Sequence, residues 1–164
     1  MAGGSFGVPR PPRFGAAGCR LLTDLSFTFF SHTGDIGIAV TARTLDELFG
    51  DAAAALTETI TDHRMVAAAR SVPVQLRSSA LDLLLVDWLN DLVYRFDTEG
   101  FLAASANITV APEGAGWSVV GAIGGEALDP RRHPVRVLVK AATYHALDVR
   151  RTSEGWMARV VIDV

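Results

Sequence analysis

The chain has 164 residues, which is enough for one domain with a substantial hydrophobic core. Its net charge of −3 gives no basic footprint for non-specific nucleic-acid binding, so we expect little direct contact with RNA or DNA. The single cysteine, Cys19, excludes a disulfide framework and multi-thiolate metal sites and favours a reducing cytoplasm. No apolar run approaches the ~18–20 residues of a membrane span, so no membrane association is expected.

Residues 1–26 are predicted to form a flexible N-terminal extension, and residues 27–164 the folded domain. The segment Met1–Gly18 is rich in Gly, Pro, Arg and Ala and has no apolar periodicity. Ala16–Cys19 faintly resembles a bacterial lipoprotein cleavage site. However, Pro9–Arg13 interrupts the ~7–15-residue apolar stretch that an export signal requires, so we expect the protein to stay in the cytoplasm.

The first folded elements are an extended segment and a helix. Phe27–Thr41 is predicted to be extended, with an interruption at Ser31–Gly34. Thr44 and Glu47 have the spacing of a capping box, in which a hydroxyl and a carboxylate satisfy the first amides of a helix. Apolar residues at helical spacing then continue to Ile60.

A strand and a second helix follow. Met65–Arg77 is predicted to be a strand, and Pro73 favours an edge position or a bulge. A cap at Ser78–Ser79 is expected to open a helix over Leu81–Phe96, which has the strongest 3-4 apolar periodicity in the chain, and Gly100 is expected to end it.

The rest of the chain is predicted to form strands at Phe101–Ala111, Trp117–Glu126, Val135–Ala142, Tyr144–Arg151 and Trp156–Val164. This order predicts an α+β fold, a two-layer sandwich in which two amphipathic helices pack on a mostly antiparallel β-sheet.

Common catalytic signatures are missing from the sequence, including the phosphate loop, the nucleophile elbow, the His-Glu-x-x-His zinc motif and the dinucleotide fingerprint. The glycine-rich run Gly121–Gly125 does not open a helix. It therefore indicates a bulge or a close backbone approach rather than a phosphate site.

Two acidic positions are candidates for a metal site. Asp35 lies in a polar, glycine-flanked run, which indicates either a turn or a ligand. Asp163 stands beside the free α-carboxylate of Val164, either as a solvated terminus or as part of a site. If the last strand lies beside the first, the three carboxylates converge, and their oxygen donors favour Ca²⁺ or Mg²⁺ over Zn²⁺.

Two further polar segments have open interpretations. Lys140, Tyr144 and His145 indicate either a snorkelling lysine beside an edge tyrosine or a positioned cationic pair for a phosphate or acidic partner. The segment Glu126–His133 is typical of an exposed Asp-Pro turn with a cationic face.

Several motifs in register resemble the archease family. They are His32–Gly37, Leu85–Asn90 with Phe96–Gly100, Gly125-Glu126 with Asp129-Pro130 and His133, Val139–Ala141 with Thr143–His145, and the ending Trp156–Val164. Three positions depart from the family pattern: Gly34 replaces alanine, Leu128 stands where an aromatic residue is common, and Leu138 stands where an acidic residue is common.

The resemblance implies an accessory protein, not an enzyme, with a small α+β sandwich fold. Archeases promote guanylylation of an RtcB-type RNA ligase and its multiple turnover in tRNA splicing or RNA repair. The implied cofactor is a divalent cation, calcium first with Mg²⁺ and Mn²⁺ as alternatives, held by Asp35, Asp163 and Val164. His32, Thr33, Lys140, Tyr144 and His145 are assigned as partner-contact or supporting residues.

Two alternative functions stay open from the sequence. One is a chaperone-like modulator of a tRNA-modifying enzyme such as a tRNA methyltransferase. The other is a metal-dependent phosphoesterase or nuclease that uses the carboxylate cluster, with His32 or His145 as the base.

Overall fold

Two antiparallel sheets and two helices make up residues 26–164, which a computed structural model describes. In chain order the elements are β1 (Phe27–His32), β2 (Asp35–Ala42), α1 (Leu45–Ile60), a 3₁₀ turn (His63–Met65), β3 (Arg70–Ser78), α2 (Leu81–Glu99), β4 (Phe101–Glu113), β5 (Gly116–Ala127), β6 (Ala141–Thr152) and β7 (Gly155–Asp163). The predicted extension, residues 1–26, lies outside the described residues except for Ser26.

The strands form a four-stranded sheet of order β1-β2-β7-β6 and a three-stranded sheet of order β3-β5-β4. Every strand pair is antiparallel. The predicted α+β class is therefore confirmed, with the strands divided between two sheets. Because β3 is an edge strand, Pro73 costs no ladder hydrogen bond there, as predicted.

The helix ends follow local chemistry, with one exception. Thr44 Oγ1 accepts a hydrogen bond from the Glu47 amide (3.2 Å), which confirms the capping interaction at α1. The prediction of a Ser78–Ser79 cap on α2 is wrong, because β3 continues to Ser78 and the N-cap is Ala80, which makes no side-chain bond. Gly100 ends α2 in the left-handed conformation (φ 63°), as predicted.

The core lies where the two helices meet the two sheets, since each helix contacts strands of both. Trp88 of α2 is fully buried, and its indole Nε1 donates to the Phe49 carbonyl of α1 (2.9 Å). Removing such a side chain typically costs about 3–5 kcal/mol. Neither helix of residues 26–164 is long and apolar enough to cross a membrane.

The segment between β5 and β6 is irregular, so the predicted strand at Val135–Ala142 is wrong except for its last two residues. The Arg136 amide donates to the Ile60 carbonyl at the end of α1 (2.8 Å) instead of to a strand. Within this segment Val139 is buried in the core, whereas Leu138 is exposed.

The glycine-rich run Gly121–Gly125 lies within β5. The Leu102 carbonyl and the Phe101 ring approach Gly125 so closely that a β-carbon would have no room. The predicted close backbone approach is therefore confirmed.

Candidate metal centre

The hairpin of β1 and β2 positions Asp35. Its two-residue turn consists of Thr33 (φ 39°) and Gly34 (φ 92°), and positive φ at both positions is typical of a type I′ turn. Glycine adopts that conformation at little cost, whereas a β-branched threonine is strained there. The turn pairs His32 with Asp35 and makes Asp35 the first residue of β2.

The pairing of β2 with β7 brings Asp35 opposite Asp163. Ile36 pairs with Ile162 at the end of the ladder, and one step further along the same register lie the two aspartates. Opposed residues in an antiparallel pair have Cα atoms ~4.5–5.5 Å apart and side chains on one face. Val164 follows Asp163 directly, so its backbone carboxyl group lies at the same end of the four-stranded sheet as the two aspartates. This adjacency is the condition under which the sequence predicted convergence.

The negative charge at this end is only partly offset. Among residues 26–164 the Asp35 carboxylate has no hydrogen bond or ion pair. The Lys140 ammonium contacts the other two groups, 2.9 Å from a backbone carboxylate oxygen of Val164 and 3.8 Å from Asp163 Oδ1. One cation against three carboxylates leaves about two negative charges. Such groups repel unless a further cation binds, and an all-oxygen donor set suits a hard divalent ion.

Two histidines approach each other at the same end of the sheet. The rings of His32 and His145 have centroids 4.6 Å apart, and Thr33 Oγ1 lies 3.2 Å from His32 Nδ1. His145 reaches this position because β6 bulges between Thr143 and Asp148. The neighbouring Tyr144 is 61% exposed. The structure therefore places His32 opposite Asp35, Thr33 in the turn between them, His145 against His32, and Lys140 against Asp163 and Val164, and it leaves the Tyr144 ring largely in solvent.

A second carboxylate cluster, which sequence analysis missed, lies at the end of α1. Glu58, Asp62 and His63 present ligand atoms within 4.8 Å of one another. The i, i+4, i+5 spacing of these residues at a helix end was the available signal. A metal is disfavoured here because arginines already neutralise the carboxylates: Arg136 bonds Glu58 Oε1 (2.6 Å), and Arg64 bonds Asp62 Oδ2 (2.7 Å).

The pKa values of this second cluster follow from these contacts. Hydrogen bonds from the Arg64 side chain lower the pKa of Asp62 to about 2. Burial alone would raise the pKa of Glu58, but hydrogen bonds from Arg136 and His63 lower it overall. Both groups are therefore ionised and already partnered at neutral pH.

The segment Glu126–His133, predicted to be an exposed turn, contains a buried anchor. His133 is fully buried, and its Nδ1 accepts from the Asp129 amide (2.9 Å). Its Nε2–H therefore faces Glu126 Oε1 (3.1 Å). The Arg132 guanidinium lowers the pKa of Glu126 to about 2. This network holds the irregular segment in place, so the exposed interpretation is wrong for His133.

Comparisons with known proteins show the family and the fold. Residues 27–164 match the Archease protein family. The chain is 36% identical to Protein archease of Methanopyrus kandleri over 81% of this chain and 95% of the relative. It is 34% identical to Protein archease of Archaeoglobus fulgidus, over 85% and 100%. A solution structure of protein 1598 of Methanobacterium thermoautotrophicum superposes with a TM-score of 0.73 at 33% identity, covering 85% of this chain and 99% of that one.

Proposed function

Because the chain belongs to the archease family, we propose that it is an accessory protein that activates an RtcB-type RNA ligase. Its role is to promote guanylylation and repeated turnover of the ligase in tRNA splicing or RNA repair in the cytoplasm. The observation that supports this role is the group of partly offset carboxylates Asp35, Asp163 and Val164, which lies at the end of the four-stranded sheet.

We further propose that Asp35, Asp163 and the Val164 α-carboxylate hold a divalent cation, which we expect to be calcium, with Mg²⁺ and Mn²⁺ as alternatives. Two features of residues 26–164 support this assignment: the Asp35 carboxylate has no partner there, and Lys140 is the one counter-charge of Asp163 and Val164. In this proposal, the bound cation would supply positive charge at the surface that faces the ligase's nucleotide site. The pairing of β2 with β7 holds Asp35 and Asp163 in position. Its core-facing residues, such as Ile38 and Val160, are buried.

The test is a guanylylation assay. The purified chain is added to the RtcB-type ligase of the same organism with GTP and a divalent metal, and formation of the ligase–GMP adduct is followed with time. We expect acceleration by the native chain and none by Asp35→Ala. An equal rate with and without the chain would refute the proposal. A tRNA methyltransferase assayed in parallel tests the alternative partner.

The His32–His145 pair beside the carboxylates favours a second candidate, a metal-dependent phosphoesterase. Cleavage of RNA by the chain alone, abolished by Asp35→Ala and His145→Ala, would support this function in place of the first.

A further inference from the structure

We propose that the outer edge of β1, which pairs with no strand of residues 26–164 except β2 on its inner side, pairs with an extended segment of the ligase, which adds a further strand to the four-stranded sheet. The inference rests on the proposed function, since it names how that partner docks beside the carboxylates.

Along β1, residues that hydrogen-bond to β2 alternate with residues whose backbone N–H and C=O groups face away from β2. The Thr41 amide donates to the Ser26 carbonyl (2.9 Å), and in this register the even-numbered residues of β1 bond β2. The N–H and C=O groups of Phe27, Phe29 and Ser31 therefore point away from β2. Within residues 26–164 no backbone hydrogen bond reaches them. Their natural complement is another extended backbone.

The other sheet edges of the described chain carry protection against such pairing. The edge of β3 contains Pro73, and β6 is interrupted by its bulge. The edge of β4 is covered by α1, since Thr57 Oγ1 donates to the Ala103 carbonyl and Asp46 Oδ1 accepts from the Val110 amide. By contrast, β1 has an uninterrupted register and contains neither proline nor lysine.

A groove beside this edge offers space for an incoming side chain. It has a volume of about 480 Å³ and lies between β1, the end of α1 and Arg136. Phe29 lies at its wall and is 45% exposed, although large aromatic residues on free edges are usually selected against. The Glu58–Arg136 ion pair in the groove neutralises itself, so the part of the groove beside the end of α1 suits an apolar side chain.

The groove is also continuous with the carboxylate site. Asp35 lines the groove and begins β2, directly after the hairpin turn in which β1 ends. A strand paired along β1 would therefore be held beside Asp35. This continuity favours a segment of the ligase over a second copy of this chain, because only the ligase has the nucleotide site that the bound cation is proposed to face.

Amide hydrogen exchange of the full chain, free and bound to the ligase, tests the proposal. In the free chain we expect fast exchange at Phe27, Phe29 and Ser31 and slow exchange at Thr28, Phe30 and His32. On adding the ligase, exchange at the first three should slow by at least about tenfold. Unchanged exchange in the complex would overturn the proposal. Protection already present in the free chain, whether from its own residues or from a second copy at high concentration, would overturn it too.

A matched pair of variants gives the second readout. Phe29→Lys places a charge on the outer edge of β1. Val120→Lys places the same charge on β5, which is paired on both sides, and Val120 is 47% exposed, close to the exposure of Phe29. We expect Phe29→Lys to weaken ligase binding by about tenfold or more and Val120→Lys by less than about twofold, with calcium affinity unchanged in both. If native chain accelerates guanylylation while Phe29→Lys binds normally, the docking mode is wrong and the proposed function stands. If native chain neither binds nor accelerates the ligase, both fail.

Discussion

Two carboxylate clusters of the described chain differ in how their charge is balanced. At the end of α1, Glu58 and Asp62 are each bonded by an arginine, Arg136 and Arg64. At the end of the four-stranded sheet, Asp35 has no partner among the described residues, and Lys140 alone serves Asp163 and Val164. If proximity of the ligand atoms were the only criterion, the metal site would be assigned to the cluster at the end of α1. The balance of charge selects the second, because only there does a divalent cation relieve repulsion.

The largest effect is expected from removing a carboxylate of the sheet-end cluster. Asp35→Ala or Asp163→Ala should weaken calcium binding by about 100-fold or more, beyond the ~10–100-fold that loss of an outer-shell partner costs. Without metal, either change should leave the fold intact and raise its stability by up to about 1 kcal/mol, since one like charge is gone. Calorimetric titration and thermal unfolding in chelator measure the two effects. Asp62→Asn is the matched control, and a loss of affinity there instead would reverse the assignment of the clusters.

Blocking the C-terminal α-carboxylate is expected to have the next largest effect. A short Gly-Ser extension after Val164 should weaken calcium binding by about tenfold or more, because it removes one anionic donor while every side chain stays in place. An N-terminal extension of equal length serves as the control. Native affinity in the C-terminally extended chain would show that Val164 is an ordinary solvated terminus.

Removing the lone counter-charge should act in the opposite direction. Lys140→Met should tighten calcium binding by about fivefold at low salt, since the repulsion between a unit charge and a divalent ion ~8 Å apart is worth about 1 kcal/mol in water. Added salt should reduce the gain. Arg150→Met, which removes a cation paired with Asp148 (3.4 Å), is the comparison variant and should change nothing. Weaker binding in Lys140→Met would mean that the lysine supports the site instead of competing with the metal.

The smallest effect concerns acid stability at the arginine-compensated cluster. The Arg64 guanidinium lowers the pKa of Asp62 from 3.8 to about 2. A lowered pKa means that the stabilisation is complete above the unfolded value and is lost as pH falls through the folded value. The native chain should therefore lose stability between about pH 4 and 2, and Asp62→Asn should show a shallower loss there. Urea unfolding at several pH values measures the slopes, and parallel slopes would contradict the pKa shift.

The sequence predicted those features that depend on neighbouring residues. The capping pair Thr44 and Glu47, the stop at Gly100 and the edge position of Pro73 follow from local backbone chemistry, and the structure agrees. The Ser78–Ser79 cap failed because strand pairing with Trp117 extended β3 to Ser78, so tertiary context overrode the local preference.

Features that depend on distant contacts could not be predicted in the same way. The apolar run after Val135 resembled a strand, yet its backbone bonds the end of α1 at Ile60. Arg136 is 78 residues from Glu58, so the neutralisation of the second cluster left no sequence signal. The approach of Asp35 to Asp163 was predicted only under the condition that their strands are neighbours, and the β2–β7 register meets that condition.

The most direct measurement of the central claim is anomalous diffraction from crystals of the full chain grown with calcium. Our account predicts one strong anomalous peak bounded by the carboxylates of Asp35, Asp163 and Val164, and its loss in Asp35→Ala. A peak at Glu58, Asp62 and His63, or ordered carboxylates at the sheet end with no peak between them, would contradict it.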